Sequence, residues 1–274
     1  MTVAFHDTGF PACPAFLGVT LEVTARDGKA AIEQGFLGRH SHGRYALREG
    51  LWNLLEVFRA EDVKATFFTD PDDALRYPEM PEAIVEAGHE LALLAPAGLC
   101  DPRHPERLAR LEEQLDRLRE VTGAPVTGWR AADGRLSDAL MQRLPRLGFT
   151  YDSSFYDDDR PYVFDAGGGA VLAELPVFEF LTDTVLHGAK HPLALVERIW
   201  GEELNALHEA GGYLPLSLSC RADFGSGRMS RARAVGAWVA KARRKPGVGF
   251  RTAAEIAAAA VETCVPEPIP AIVD

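Results

Sequence analysis

The chain has 274 residues, of which 47% are hydrophobic and 25% charged, and its formal net charge is −11. This is the composition of an ordinary globular protein, and it excludes intrinsic disorder and collagen-like repeats. Because a negative surface repels phosphate groups, the charge also argues against nucleic acid and anionic membranes as partners.

The first third of the chain alternates predicted strands with predicted helices. Runs of apolar and β-branched residues predict buried strands over 16–23, 64–69 and 90–95. Apolar residues at helical spacing predict helices over 46–60 and 81–87, the second ending before Gly88. The stretch 35–45 is rich in glycine, histidine and arginine, and it is predicted to be an irregular loop.

The alternation continues through the rest of the chain. A leucine stripe predicts a helix over 104–121. Further strands are predicted near 125–131, 148–152, 171–177 and 213–220, and further helices over 137–146, 192–210, 229–243 and 252–261. The proline-rich end from 266 onward is predicted to be a tail. Strands that alternate with helices predict a parallel sheet in one α/β domain over 1–274. Its core covers about 16–262, and 1–15 and 263–274 are terminal extensions.

The cysteines and the N-terminal residues bear on the compartment. The four cysteines are far apart and form no CxxC pair, so we expect reduced thiols and a cytoplasmic protein. The opening residues show no basic segment followed by an apolar run, and no stretch reaches about 18 apolar residues, so we expect neither a signal peptide nor a membrane span. The expected partner is a small molecule, and a homo-oligomer is an open possibility.

Seven segments, in order along most of residues 16–257, resemble a known family. They are VTLEVTARDG, RYALREGLWNLLEVFRAEDVKATFF, YPEMPEAIVEAGHELA, EVTGAPVTGWRA, GFTYDSSFYDDDRPYVFD, SLSCR and SGRMSRARAV. Together they resemble the polysaccharide deacetylase (NodB-homology) superfamily, in particular its branch of peptidoglycan-deacetylase-like proteins, cyclic imide hydrolases and allantoinases. The resemblance implies an α/β fold, a distorted (β/α)7 barrel.

The same comparison implies that the metal site of the family is lost. Typical members end the first strand with two aspartates, a base and a metal ligand, where this chain has Glu22 and Thr24. Their HxxxH pair of ligands corresponds to Leu94 and Gly98, and their late catalytic histidine to Ser219. Leucine, glycine and threonine cannot replace an aspartate and two histidines around a divalent ion. We therefore expect no metal and no cofactor.

Three residues are predicted to be catalytic. Glu22 retains a carboxylate at the position of the family's base and is the predicted general acid/base, unless it only pairs with an arginine. Arg130 is retained from the Arg-x-Pro motif. Its planar guanidinium is suited to bind a substrate carboxylate or to orient Glu22, and a purely structural ion pair is the alternative. Asp152 matches the YDSS motif, where a structural role as a turn acceptor is the alternative.

Eight further residues are predicted to bind substrate. His40 and His42 form an HxH pair close to Tyr45 and Arg48, and solvated histidines or a relocated metal site with Glu22 are the alternatives. The others lie at strand ends: Trp129, Ser219, Cys220 and Arg221. A nearby arginine would favour a reactive Cys220 thiolate, whereas an inert buried cysteine and a core tryptophan are the ordinary alternatives.

Two functions follow from these patterns. The first is a divergent enzyme that acts without the family's metal on a small polar or anionic substrate, at an amide or cyclic amide C–N bond. The second is an inactive pseudo-deacetylase that binds a metabolite or partners an active homologue. We favour the enzyme, because unpaired polar groups in a pocket are destabilising to retain without a use.

Overall fold

A single mixed sheet of ten strands organises the computed structural model, which describes residues 11–23, 38, 42–101 and 103–269. The strands are β1 (Cys13–Leu21), β2 (Thr66–Thr69), β3 (Glu90–Ala95), β4 (Gly128–Ala131), β5 (Tyr151–Asp152), β6 (Tyr162–Gly167), β7 (Ala170–Glu174), β8 (Leu214–Ser219), β9 (Val248–Phe250) and β10 (Glu267–Pro268). Their order is β10-β6-β7-β5-β4-β3-β2-β1-β8, and β9 pairs with β1.

Seven of these strands, from β7 through β8 in that order, run parallel to one another, and β6 is antiparallel to β7. Strand β9 also pairs parallel with the start of β1, and β10 runs parallel to β6. Thr182 adds a parallel bridge to Ser217 on the outer edge of β8. The predicted α/β fold with a parallel sheet is confirmed.

Helices connect the parallel strands. They are α1 (His42–Tyr45), α2 (Leu51–Ala60), α3 (Pro71–Arg76), α4 (Glu79–Glu86), α5 (Glu106–Thr122), α6 (Asp138–Arg143), α7 (Asp183–Gly188), α8 (Leu193–Glu209), α9 (Met229–Ala242) and α10 (Ala253–Thr263). A π-helical turn, Ala46–Gly50, joins α1 to α2, and 3₁₀ turns cover Leu144–Leu147 and Glu179–Leu181. None of the helices in the described ranges has the length and apolar character that crossing a bilayer requires.

The two faces of the sheet bury different side chains. Along β1, Leu17 and Val19 belong to the large core between the sheet and the surrounding helices, whereas Phe16 belongs to a second core on the opposite face. This follows from the alternation of side chains along a strand. Helix α10, which begins with a capping box between Thr252 and Glu255, contributes to the second core. The second face is thus the inner one.

Several predicted boundaries were wrong for identifiable reasons. The predicted loop 35–45 gives way to helix α1 from His42, because the buried Gly43 and Ala46 pack into the fold despite weak local helix propensity. The predicted tail contains β10, which pairs with Phe164 and Asp165 of β6. Proline is tolerated there because an edge strand uses only some of its N–H groups for hydrogen bonds to the neighbouring strand. Helices α3 and α7 and strands β6 and β9 were not predicted.

Candidate active site

A cavity of about 320 Å³ opens at the carboxyl ends of the parallel strands, on the inner face of the sheet. This end of an α/β barrel is where loops and strand ends bring side chains together. The cavity is formed by residues at the ends of β1, β3, β4 and β8, and by the segments after β5 and β7. Its lining includes Thr20, Glu22, Leu94, Arg130, Ser153, Ser154, Tyr156, Asp183, Ser217 and Ser219.

Arg130 is held rigidly in the inner wall of this cavity. Its Nε donates to the carbonyl oxygen of Ser153 at 2.9 Å, and its Nη2 donates to Ser153 Oγ at 2.8 Å. The guanidinium carbon lies 3.9 Å from the centroid of the Phe68 ring, a cation–π contact. Gly18 faces the same guanidinium, and a Cβ at that position would lie 3.2 Å from Nη2. The absence of a side chain at Gly18 therefore makes room for the Arg130 guanidinium.

The described residues compensate the charge of Arg130 poorly. The side chain is buried, with the residue 8% exposed, and burial lowers the pKa of the guanidinium from its usual value. Within the described residues, Arg130 forms no ion pair with a carboxylate, and its Nη1 has no hydrogen-bond partner. Isolated buried charges are costly, so an anion bound beside the Arg130 guanidinium would be stabilising.

Glu22 follows β1 and brings a buried carboxylate to the cavity, with the residue 4% exposed. The neighbouring backbone is fixed by a 2.6 Å hydrogen bond from Val23 N to Asp73 Oδ2. Asp70 lies close by, where burial and then the charges of Asp73, Asp72 and Glu22 raise its pKa to about 7. The ends of β1 and β2 thus form an acidic corner of the site.

Asp183 is a cavity residue that the sequence did not indicate. It begins helix α7 and is fully buried, with Oδ2 accepting from the backbone N–H groups of Ser219 at 2.9 Å and Ser226 at 2.7 Å. Burial raises the pKa of its carboxyl to about 7. The segment before it has no regular hydrophobic period, and the only signal was a Thr-Asp pair of the kind that starts helices.

Asp152 lies behind the cavity wall rather than in it. It is fully buried and pairs in register with Glu174 across β5 and β7. Its Oδ1 accepts from Ser154 Oγ at 2.7 Å, while Glu174 Oε1 accepts from the N–H groups of Ser154 and Phe155, each at 3.1 Å. Burial raises the pKa of both carboxyl groups, and the charge of Asp152 raises that of Glu174 further. Asp152 thereby supports the turn that carries Ser153, the partner of Arg130.

The residues predicted to bind substrate at strand ends fall on both sides of the wall. Ser219 lines the cavity, and its Oγ accepts from Arg221 N at 3.3 Å. Trp129 lies on the opposite face of β4 from Arg130, in the outer core. Cys220 is fully buried outside the cavity lining, where burial raises the pKa of its thiol. Arg221 is also buried and forms a bidentate pair with Asp223.

The predicted loop residues lie apart from the cavity lining. His42 and Arg48 are exposed, and Tyr45 is half-buried beneath Arg228, whose guanidinium carbon lies 5.2 Å from the ring centroid. None of the three lines the cavity in the portion that the structure describes. His40 lies outside the described residues, so a site built on the HxH pair stays a prediction.

The donor set at the two positions equivalent to the family's histidines does not suit a divalent ion. Leu94 contributes an aliphatic wall to the cavity. Gly98 adopts a left-handed backbone conformation, and its N–H donates to Asp133 Oδ2 at 2.8 Å. Among residues 11–23, 38, 42–101 and 103–269, no group of three histidine, cysteine, aspartate or glutamate side chains is placed to hold a metal ion. These described residues do not fit the metal that the resemblance implies for the family.

A larger groove of about 980 Å³ adjoins the cavity. Tyr156 and Val177 line both spaces, so the two are adjacent. The groove is bordered by acidic and aromatic residues, namely Asp157, Asp158, Asp159, Phe178, Glu179, Phe180 and Glu203. Its mouth is therefore negative, whereas the cavity floor carries the Arg130 cation.

Comparison with known proteins identifies the relatives of this chain. The polysaccharide deacetylase family model matches residues 43–151. A peptidoglycan deacetylase of Helicobacter pylori is 28% identical over 133 residues, which cover 46% of this chain and 44% of the relative. The chain thus spans less than half the length of this curated relative. The predicted resemblance to the polysaccharide deacetylase superfamily is confirmed.

Solved structures share the fold over nearly the whole chain. A Mycobacterium smegmatis protein assigned to the polysaccharide deacetylases superposes with a TM-score of 0.86 at 24% identity, covering 99% of this chain and 98% of that one. The allantoinase Puue superposes with a TM-score of 0.78 at 21% identity, covering 96% and 95% of the two chains. At these identities the likeness shows the fold alone.

Proposed function

We propose, from the premise that this chain is a relative of the polysaccharide deacetylases with the same fold, that it is a hydrolase-like enzyme for a small polar substrate. The reaction is cleavage of an amide or cyclic amide C–N bond in the strand-end cavity. One observation carries the proposal: the cavity combines a buried carboxylate, Glu22, with a buried cation, Arg130, and a wall of hydroxyl groups. Small-molecule sites typically join a confined space with a few converging polar groups.

The reaction that these residues support is attack of water on a carbonyl carbon. Glu22 takes a proton from the water as its oxygen bonds to the carbon, and the same proton then passes to the nitrogen as the C–N bond breaks. Arg130 stabilises the negative charge of the bound substrate or of the developing oxyanion. The hydroxyl groups of Thr20, Ser217 and Ser219, which line the cavity, orient the polar groups of the substrate.

We infer that this reaction proceeds without the metal used in the family. The support is chemical: Leu94 and Gly98 stand where the resemblance places two histidine ligands, and Thr24 stands in place of an aspartate. In metal-dependent hydrolases the ion generates hydroxide from bound water near neutral pH. Here Glu22 has to supply that activation. The four cysteines are all free thiols, which supports a cytoplasmic site of action.

Substitution of Glu22 tests the proposal. The purified protein is assayed against peptidoglycan fragments, allantoin and cyclic imides, and Glu22→Gln is compared with Glu86→Gln, which alters an exposed glutamate of α4. We expect Glu22→Gln to lower kcat/KM for the accepted substrate by about 100-fold or more, because general-base catalysis contributes at least that factor. Glu86→Gln should retain full activity. Undiminished turnover by Glu22→Gln contradicts the assignment.

A binding protein without turnover is the second candidate. The replacement of the family's histidine ligands by Leu94 and Gly98 is the observation that favours it, since the same cavity would then bind a metabolite without reacting. Turnover by the isolated wild-type protein decides between the two candidates. Co-purification with an active deacetylase and no turnover by the protein alone would favour the second.

A further inference from the structure

We propose that the substrate of this cavity carries a carboxylate, and that Arg130 binds it through the guanidinium edge that includes Nη1. This inference rests on the proposed function, because it takes the molecule bound in the cavity to be the substrate of the enzyme. The two ideas separate experimentally, because binding of a carboxylate does not require turnover.

The first support is the orientation of the Arg130 guanidinium. Nε and Nη2 are fixed on Ser153, and Phe68 stacks against one face of the plane at 3.9 Å. Nη1 is the one nitrogen of this guanidinium without a partner among the described residues. An arginine that is held in this way has lost its rotamer freedom before any ligand binds. Binding of a planar oxyanion therefore requires little further ordering.

The second support is the distribution of charge around the cavity. Of the described carboxylates near this end of the sheet, Asp183 accepts from two backbone N–H groups, and Asp152 is engaged with Ser154 and Glu174. Asp70 and Glu22 form the acidic corner at β1 and β2. Asp133, which also lines the cavity, accepts from the backbone N–H groups of Gly98 and Arg135. None of these carboxylates forms an ion pair with Arg130 in the described part of the molecule. A bound carboxylate would supply the counter-charge that these described carboxylates do not.

The third support is the composition of the surrounding wall. Thr20 is in register with Ser219 on the neighbouring strand, and Gly18, which faces Arg130, is in register with Ser217. These positions supply neutral hydroxyl donors for a carboxylate without further positive charge. The acidic groove that adjoins the cavity disfavours a second anionic group on the same ligand. The ligand is accordingly a small mono-carboxylate with its anionic end directed inward.

Titration with simple probes tests this inference. Acetate and propionate are the carboxylate probes, acetamide is the neutral isostere, and sulfate separates a carboxylate preference from general anion binding. The arginine Nε resonances are followed by ¹⁵N NMR, and affinities are measured by calorimetry. We compare the wild type with Arg130→Lys, Arg130→Gln and the exposed-site control Arg146→Lys.

We expect acetate and propionate to shift the Arg130 Nε resonance and to bind about tenfold or more weakly to both Arg130 variants, because a charge-assisted hydrogen bond to a fixed fork is lost. Arg146→Lys should bind like the wild type. The wild-type NMR titration keeps the test valid should an Arg130 variant fail to fold. Equal binding of acetamide, tighter binding of sulfate than of acetate, or no shift of the Arg130 resonance with any carboxylate overturns the inference.

The outcomes also separate this inference from the hydrolase assignment. Turnover of a neutral amide that depends on Glu22, combined with no carboxylate binding, leaves the enzyme proposal standing and removes the substrate class. Carboxylate binding at Arg130 with no turnover of any C–N substrate retains the anion site and favours the binding-protein alternative.

Discussion

At the scale of single residues, the cavity wall separates groups that can react from groups that cannot. Glu22, Arg130 and Ser219 line the cavity, whereas the neighbouring Trp129 and Cys220 do not. A shift of one position along a strand moves a side chain to the other face of the sheet. Burial then decides the chemistry of each group, because it disfavours whichever protonation state is charged.

Cysteine reactivity provides a first prediction at this scale. Burial raises the pKa of the Cys220 thiol, and that of Cys13 to about 11, whereas Cys100 is only half-buried. Since the thiolate is the reactive form, a disulfide reagent at neutral pH should label Cys100 of the native protein first. Cys13 and Cys220 should react only after unfolding. Loss of the fast labelling phase in Cys220→Ser, and its survival in Cys100→Ser, would refute this.

Asp183 provides a second prediction, on the pH dependence of stability. Its pKa is raised by burial from 3.8 to about 7, so the folded state holds this proton more tightly than the unfolded state. The contribution of Asp183 to the free energy of unfolding is therefore fully present below the unfolded pKa and is lost as pH rises towards about 7. Asp183→Asn does not titrate, so its stability relative to the wild type should increase over that interval.

Urea denaturation at several pH values measures this difference. Asp183→Ala is the control: it should be less stable than Asp183→Asn at every pH, by about 1–3 kcal/mol, because the N–H groups of Ser219 and Ser226 lose their acceptor. A stability difference between Asp183→Asn and the wild type that stays constant from pH 4 to pH 7 would show that Asp183 is ionised in the folded protein throughout this range.

At the scale of elements, the end of β8 is packed closely against the start of α2. A Cβ at Gly50, the last residue of the π-helical turn, would lie 1.9 Å from the carbonyl oxygen of Cys220, and one at Gly227 would lie 2.0 Å from the same atom. Only glycine allows the backbones to approach this closely. The contact fixes the strand end that carries Ser219 to the cavity.

A glycine substitution tests that contact. Gly50→Ala should lower the free energy of unfolding by about 1–3 kcal/mol or more, because the backbone of β8 must move to admit the methyl group. Gly188→Ala, at the end of α7, is the matched control, since no atom of the described residues packs within 4 Å of a Cβ at that position. It should be neutral or stabilise by about 0.5–1 kcal/mol, as alanine does in a helix. Equal stability of the two variants in urea denaturation would contradict the close approach.

At the scale of the whole molecule, the order of strands and helices was predictable from the sequence. The face of the sheet on which a given side chain lies was often not predictable. The predicted strands at 16–23 and 90–95 correspond to β1 and β3 because a buried parallel strand is a continuous apolar run. Such a run has no polar face, so local pattern did not separate Arg130 in the cavity from Trp129 in the outer core. Asp183 was missed because tertiary contacts, rather than local sequence, bring it beneath Ser219.

At the same scale, we propose that side-chain chemistry in the strand-end cavity replaces the metal that the resemblance implies for the family. Arg130 and Glu22 lie in the cavity, and Leu94 lines it where a histidine ligand is expected. The replacement changes which conditions matter for activity. A Glu22-dependent reaction responds to the protonation of a carboxyl group, whereas a metal-dependent one responds to chelators.

The most direct measurement is the metal content of untagged protein purified without added metal, read beside its activity before and after dialysis against a chelator. We expect zinc, iron, nickel and cobalt far below one ion per chain, and turnover unchanged by the chelator. Close to one ion per chain, with activity that the chelator removes and the metal restores, would contradict it.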